Sequence, residues 1–290
     1  FEAALAKDMR LVAGKILMDQ NALPELQDTA ASGYQDSVDL INEWHGKGRL
    51  GYAVTPRFSG TSSVEQLTLA GQLLKEFPDV WMQTHMSENL EEIRWLKTVH
   101  PHTADYLDSY EQYGLNTDRS IFGHCIHLSD DEILRLAGSG GRVAFCPTSN
   151  LFLGSGLMPL EKLKEAGVPV SIATDVGGGT SLSMLTTLGE AYKVCQMQGY
   201  SLHPLEAFYM MTLGNAKATH LDHCIGNFER GKEADIVVLD NKPTPMMARR
   251  ITQCRELDEE LFVYMMMGDD RSVARTYCHG VQQYDKGENN

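Results

Sequence analysis

The chain has 290 residues, of which 42% are hydrophobic and 22% charged, and its formal net charge is −14. A chain of this length buries roughly three quarters of its unfolded surface, enough for one barrel-sized core. The negative charge argues against nucleic-acid or anionic-membrane partners, because phosphate surfaces repel it. No apolar run approaches the roughly 18 residues of a membrane span, and the longest, LFVYMMMG (261–268), is interpreted as a core segment.

The first two thirds of the chain alternate strand-like and helix-like segments. FEAALAKDMR (1–10) predicts a helix that precedes the first strand. Short apolar, β-prone runs predict strands at 11–18, 50–56, 80–85, 120–125, 142–147 and 168–175. Segments of helical period between them predict helices at 37–48, 63–77 and 129–141. This alternation implies a parallel sheet of six βα units, two fewer than a closed (β/α)₈ barrel contains.

The pattern changes after residue 200. Residues 203–220 predict a helix, 225–240 a turn-rich β segment, 256–267 another helix and 275–285 a final strand. We therefore predict an α/β fold: a TIM-type (β/α)₈ barrel lacking its first strands over residues 1–222, followed by part of a small β-sandwich over residues 223–290. The six cysteines are scattered and form no CxxC pair, so we expect reduced thiols and a cytoplasmic protein.

Four short motifs put polar chemistry at the ends of apolar, β-prone runs. They are QTHMSEN (83–89), FGHC (122–125), FCPTSNLFLGSG (145–156) and ATDVGGGTS (173–181). They place His85, Glu88, His124 and Asp175 at the C-terminal ends of predicted strands, the face on which barrel enzymes do their chemistry. Two nitrogen ligands, one oxygen ligand and a nearby glutamate suit a hydrolytic metal and its water. The sequence therefore predicts a metal-dependent hydrolase.

Simpler interpretations exist for several of these residues. Glu88 alone would also serve as a helix-capping acid, because SEN before LEEI is a plausible helix start. Arg57 would also serve as an ion-pair partner. The glycines at 177–179 suggest phosphate binding at first sight, but no Lys-Ser/Thr pair follows them, which favours a tight loop over a small substrate. Cys125 would point away from His124 on its strand and is a poor ligand candidate.

These motifs carry a family resemblance. The order His, His, Asp at strand ends, with Glu three residues after the first His, resembles the amidohydrolase superfamily. Within it, TPRF (55–58), QTHMSEN, CPTSNLFLGSG, TDVGGGTS and GDDR (268–271) resemble the guanine deaminases. The resemblance extends from GKILMD (14–19) to the end of the chain. It implies a distorted barrel that holds one or two metals, flanked by a β-sandwich.

The resemblance also implies a metal site. His85 on the fifth barrel strand, His124 on the sixth and Asp175 on the eighth would ligate zinc, one ion per subunit, with Fe²⁺ as the alternative. Asp175 would in addition help take a proton from the metal's water. The partners implied are a small-molecule substrate and a second copy in a homodimer. The net charge and the lack of a long apolar run, rather than the resemblance, predict no nucleic-acid and no membrane partner.

The implied reaction is the hydrolytic deamination of guanine to xanthine and ammonia. Glu88 would be the proton shuttle and a substrate contact. Arg57 would donate to the purine carbonyl oxygen, and Phe58 would pack on the ring. The alternatives are another amidohydrolase, a deaminase or chlorohydrolase acting on a triazine or adenosine-type substrate, and a non-catalytic barrel relative acting in assembly.

One part of the family pattern is missing. Amidohydrolases supply two further ligands as His-x-His at the end of the first barrel strand, whereas the only His-x-His here is His100-Pro-His102. This pair follows the fifth strand, and we interpret it as two solvated histidines at a helix break. We therefore expect an N-terminally truncated chain that lacks sandwich strands and the first two βα units.

Overall fold

The computed structural model describes residues 1–287, and its elements alternate as the sequence predicts over most of that range. The strands are β1 (Leu11–Ala13), β2 (Ile16–Leu17), β3 (Leu50–Pro56), β4 (Trp81–Met86), β5 (Ser120–His124), β6 (Arg142–Phe145), β7 (Val170–Ile172), β8 (Ile236–Leu239), β9 (Val273–Cys278) and β10 (Val281–Asp285). The helices are α1 (Glu2–Ala6), α2 (Ala30–Trp44), α3 (Val64–Glu76), α4 (Leu90–Val99), α5 (Asp108–Glu111), α6 (Asp130–Ser139), α7 (Pro147–Phe152), α8 (Leu160–Glu165), α9 (Met184–Met197), α10 (Pro204–Tyr209), α11 (Asn215–Ala218), α12 (Pro245–Ile251) and α13 (Leu257–Met267).

The chain divides into two compact units. The first comprises residues 1–144 and 162–169, and the second comprises 145–161 and 170–290, of which 288–290 lie outside the described residues.

A parallel sheet organises the first unit. Strand β3 pairs with β1, β2 and β4, β4 pairs with β5, and β5 pairs with β6, all in parallel. Every residue of β3 is buried, as expected for a parallel strand covered on both faces. The register of β4 on β5 places His85 opposite Gly123 and Met86 opposite His124, so both strands end at the same edge. This edge carries His85 and His124.

Helix ends in the first unit follow local sequence signals. Ser63 caps α3 by accepting from the backbone N–H of Gln66, and Ser129 forms a capping box at α6 that ends at Gly140 with φ +77°. Both helices agree with the predictions. Helix α2 begins earlier than predicted, at residue 30, because Thr29 forms a capping box with Ser32.

The first predicted strand is divided in the structure. Residues 11–18 form β1 and β2, which pair with opposite ends of β3. Between them, a Cβ on Gly14 would lie 1.8 Å from the carbonyl oxygen of Ala53. The backbones approach each other so closely here that only glycine fits, and the single predicted strand was wrong for this reason.

The second unit combines β7, several helices and a small antiparallel sheet. Strand β9 lies between β8 and β10. The predicted final strand at 275–285 was wrong in one respect, since the segment is a hairpin of β9 and β10. His279 and Gly280 turn the chain with φ of +47° and +81°, the positive values that tight hairpin turns require. Helix α12 was not predicted, and its Met247 packs in a core with Leu185, Val263 and Tyr264.

Within residues 1–287, no helix is long and apolar enough to cross a membrane. The six cysteines are free thiols.

Candidate active site

The structure brings three of the predicted metal ligands together. One ligand atom each from His85, His124 and Asp175 lies within 4.8 Å of the others. Two imidazole nitrogens and one carboxylate oxygen match a catalytic zinc site, in which three protein ligands leave a position open for water or substrate. The described residues contain no other group of three such side chains that could hold a metal ion. The donor set therefore fits a divalent metal.

A backbone carbonyl orients the His85 ring. The Nδ1 atom of His85 lies 2.7 Å from the carbonyl oxygen of Arg57. A carbonyl oxygen only accepts, so Nδ1 carries a hydrogen, and Nε2 is the ring nitrogen that is left for a metal. This is the usual way in which a hydrogen bond on one ring nitrogen directs the other toward a metal. The backbone N–H of His85 donates to the same oxygen at 3.1 Å.

The backbone is unusual at the other two ligands. His124 ends β5 with φ +71°, and Asp175, past the end of β7, has φ +50°. Non-glycine residues seldom adopt positive φ, and besides turns such residues are found at functional sites. Cys125 shares this conformation, but its buried thiol lies against the carbonyl oxygen of Phe122 at 3.7 Å. Cys125 is not part of the ligand group.

Glu88 lies beside the ligand group. Its Oε2 atom is 3.6 Å from Nε2 of His124, and 19% of its side chain is exposed. The alternative role of Glu88 as a helix cap is wrong, because Asn89 caps α4 by accepting from the N–H of Glu91 at 2.8 Å. Glu88 is therefore a partly accessible carboxylate that neighbours a candidate metal ligand.

Arg57 and Phe58 follow β3 at the same sheet edge. The guanidinium of Arg57 is exposed and lies 5.4 Å from the centre of the Phe58 ring. The Phe58 ring in turn lies 6.0 Å from that of Trp95. Within residues 1–287 the structure describes no salt bridge for Arg57, so the ion-pair alternative lacks a partner there. The guanidinium can thus donate hydrogen bonds to a ligand.

The three glycines after Asp175 form a tight loop. A Cβ on Gly179 would lie 1.7 Å from the carbonyl oxygen of Thr174, and the N–H of Gly179 donates to the carbonyl oxygen of Asp175 at 2.5 Å. The loop folds back on the residues that precede it, which explains the glycine at this position. This agrees with the predicted tight loop.

His100 differs from its expected environment. It is 2% exposed, and its Nε2 donates to the carbonyl oxygen of Ser59 at 2.8 Å. The interpretation of His100 as solvated was wrong, because the segment after α4 packs against the loop that follows β3. His102 is exposed, with Nε2 3.2 Å from the hydroxyl of Tyr113. Neither histidine belongs to the ligand group.

A polar layer that the sequence analysis missed lies behind the site. It consists of the buried Ser59, Thr84, Tyr106 and Tyr110 and the half-buried Glu92. Burial raises the pKa of Glu92, which accepts a hydrogen bond from the Tyr106 hydroxyl, and burial also raises the pKa of Tyr110 well above its ordinary value. Tyr106 and Tyr110 are four residues apart, and this spacing is the one signal that could have indicated a buried face.

Comparisons with known proteins place this geometry in context. The family model "Amidohydrolase family" matches residues 1–282. A guanine deaminase of Escherichia coli (strain K12) is 51% identical over 286 residues, which are 99% of this chain and 65% of the relative. The solved E. coli guanine deaminase superposes with a TM-score of 0.97 at 50% identity, covering 98% of this chain and 67% of that chain. The chain thus spans about two thirds of the length of these relatives.

Two further solved structures superpose closely on this chain. Guanine deaminase from Bradyrhizobium japonicum has a TM-score of 0.94 at 40% identity, covering 99% of this chain and 68% of that one. Guanine deaminase from C. acetobutylicum, solved with guanine in its active site, has a TM-score of 0.87 at 28% identity, covering 98% and 67%. The expected α/β class, an amidohydrolase barrel type with a small antiparallel sheet, is confirmed. By family model, identity and fold, this chain belongs to the amidohydrolase family.

Proposed function

We propose that this chain carries the catalytic residues of a zinc-dependent guanine deaminase, which converts guanine and water to xanthine and ammonia. The observation that carries the proposal is the carboxylate of Glu88, 3.6 Å from His124, beside a group that holds two imidazoles and one carboxylate within 4.8 Å. Relatives named guanine deaminase, at up to 51% identity, support guanine as the substrate.

His85, His124 and Asp175 would hold the metal, which we propose to be one zinc ion per subunit, with Fe²⁺ as the alternative. When bound, a zinc ion supplies a water molecule with a pKa lowered from about 15.7 toward 7. The Arg57 carbonyl keeps His85 in the tautomer that a metal ligand needs.

The remaining residues bind guanine and move protons. Arg57 would donate to the purine carbonyl oxygen, and Phe58 would pack on the ring. Glu88 would take a proton from the attacking water and deliver it to the ring nitrogen next to C2, which makes that carbon more electrophilic. Asp175 would accept a hydrogen bond from the same water and help to remove its proton. Attack at C2 and loss of ammonia then leave xanthine.

We propose a division at residue 222 between the barrel segment, 1–222, and a sandwich segment, 223–290. We also propose that the protein is a cytoplasmic homodimer. It would bind small purines, and neither nucleic acid nor membranes. The net charge of −14 supports the exclusion of polyanions. Light scattering after size-exclusion chromatography tests the dimer.

Steady-state assays of the full-length protein test the activity. We expect ammonia release from guanine and little from adenosine or an aminotriazine. We expect a chelator to abolish the activity and zinc to restore it. His124→Ala should lose both metal and turnover, whereas His102→Ala, a change at an exposed histidine outside the ligand group, should keep both. Metal-loaded protein that releases no ammonia from guanine, or that turns over adenosine faster, would contradict the proposal.

A further inference from the structure

The hydroxyl of Tyr110 joins three backbone segments behind the site. It donates to the carbonyl oxygen of His85 at 2.7 Å and accepts from the backbone N–H of Ser59 at 2.9 Å. The hydroxyl of Thr84 lies 3.1 Å away. Tyr110, Ser59 and Thr84 each have 0% exposure, so water does not replace these bonds.

The hydroxyl hydrogens of Tyr110 and Thr84 can each be assigned to an acceptor. A tyrosine hydroxyl has one hydrogen and can accept two more. The hydrogen of Tyr110 is used on the His85 carbonyl, so Thr84 must be the donor in their contact. Thr84 has one hydrogen as well, and it shares this hydrogen between Tyr110 and the Arg57 carbonyl at 3.2 Å.

The loop from residue 57 to 61 is held at several atoms by this arrangement. The carbonyl oxygen of Ser59 accepts from His100 at 2.8 Å, and its hydroxyl lies 2.9 Å from that of Ser109. The Arg57 carbonyl accepts from Nδ1 of His85 at 2.7 Å. The loop that carries Arg57 and Phe58 is therefore connected to the strand that carries His85 in two ways. The Arg57 carbonyl bonds directly to His85, and the buried hydroxyl of Tyr110 joins Ser59 to the His85 carbonyl.

We propose that Tyr110 is a positioning residue that fixes the substrate loop, 57–61, relative to the metal ligand His85. The effect expected on guanine binding rests on the proposed function, whereas the effect expected on metal retention does not. Loss of the hydroxyl removes the link between Ser59 and the end of β4, so this part of the loop should shift relative to His85 although the bonds to the Arg57 carbonyl remain. Both purine binding and metal retention should then weaken, although Tyr110 itself touches neither ligand.

Tyr110→Phe in the full-length protein tests this inference. Each lost buried hydrogen bond contributes modestly, so we expect KM for guanine to rise roughly 3- to 10-fold with a smaller change in kcat. We expect zinc loss to a chromogenic chelator to accelerate by a similar factor. Thr84→Val, which removes the second hydroxyl, should give effects that are not additive with those of Tyr110→Phe, because the two share one network.

Tyr52→Phe is the matched control. Tyr52 has 0% exposure, and its hydroxyl accepts from the N–H of Lys15 at 3.1 Å, but it lies near the start of β3, away from Arg57. We expect both tyrosine variants to lower the unfolding temperature, and only Tyr110→Phe to change KM and zinc loss. Equal zinc loss and equal KM in the two variants would overturn the inference. If the wild-type protein does not turn over guanine, the proposed function is wrong. The comparison of zinc loss between the two variants then still tests the role of Tyr110.

Discussion

Acidic side chains behave in opposite ways in two regions of this molecule. In the polar layer of the first unit, burial raises the pKa of Glu92. In the antiparallel sheet β8–β10 of the second unit, Arg275 donates to Asp285 and lowers the pKa of that carboxyl. Loss of hydration disfavours the charged form of Glu92, whereas a neighbouring cation favours the charged form of Asp285.

The difference shows in which region the positions of polar side chains are tightly constrained. Polar groups without water are costly unless they are bonded, so the polar layer has few alternative arrangements. Exposed ion pairs such as Arg275–Asp285 are screened and contribute little. The first unit also contains most of the residues proposed for chemistry, among them Arg57, His85, Glu88 and His124. Substitutions in the first region should change function, whereas those in the second region should leave function unchanged and lower stability by at most about 2 kcal/mol.

The largest expected effect is that of Glu88→Gln. The amide keeps the shape of the side chain but cannot carry a proton, so kcat should fall by about 10²- to 10⁴-fold while zinc content stays the same. Asp285→Asn, a matched loss of one carboxylate in the exposed sheet, should keep full turnover. Normal turnover of Glu88→Gln with full zinc occupancy would remove the proton-shuttle role.

Gly60→Ala should affect both stability and substrate binding. The added Cβ would lie 2.4 Å from the Trp95 ring and 2.6 Å from the Phe58 ring, so both rings must move. We expect a loss of about 1–3 kcal/mol in unfolding free energy and a higher KM for guanine. Gly280→Ala is the control in the second region, where φ is +81° and no atom lies closer than 4.0 Å. It should cost about 1–2 kcal/mol through backbone strain, with KM unchanged. An unchanged KM in Gly60→Ala would show that Phe58 does not contribute to binding.

Glu92→Gln tests whether the pKa of the carboxyl in the polar layer is raised, in contrast to the lowered pKa in the antiparallel sheet. Because the folded-state pKa of Glu92 is raised, the folded protein loses stability as pH rises from the ordinary glutamate value through the raised one. Glutamine does not ionise and can still accept from Tyr106. The variant should match wild type in unfolding temperature near pH 4, exceed it as pH rises through the raised pKa of Glu92, and stay above it at higher pH. A difference that shrinks with rising pH would contradict the assigned direction.

The smallest expected effect is that of Asp240→Asn in the second unit. The N–H of Lys242 and, more weakly, the ammonium of Lys286 lower the pKa of Asp240. Its stabilising contribution is therefore present above the ordinary aspartate value and is lost as pH falls through the lowered one. We expect a loss of at most about 1 kcal/mol at pH 7 and none near pH 2, measured by urea unfolding. A larger loss at pH 2 than at pH 7 would reverse this assignment.

Local signals predicted much of the fold. The serines before α3 and α6 and the glycine after α6 lie where capping rules expect them, since a cap needs only neighbouring residues. The predictions failed where a distant backbone intervenes. Gly14 divides the first strand because the Ala53 carbonyl is close. Helix α12 is a different case, since its local signals, the cap Thr244 and Pro245 in its first turn, are present in the sequence.

The sequence by itself determined the family, the parallel βα pattern and the identity of the candidate ligands and proton carrier, because motif residues lie close together or at strand ends that topology places on one edge. Only the tertiary structure decided that His100 is buried and that Tyr110 bonds to both His85 and Ser59. These contacts join residues up to 51 positions apart. No local pattern records such a contact, because the hydroxyl of Tyr110 gains its role only from the strand and loop that fold against it.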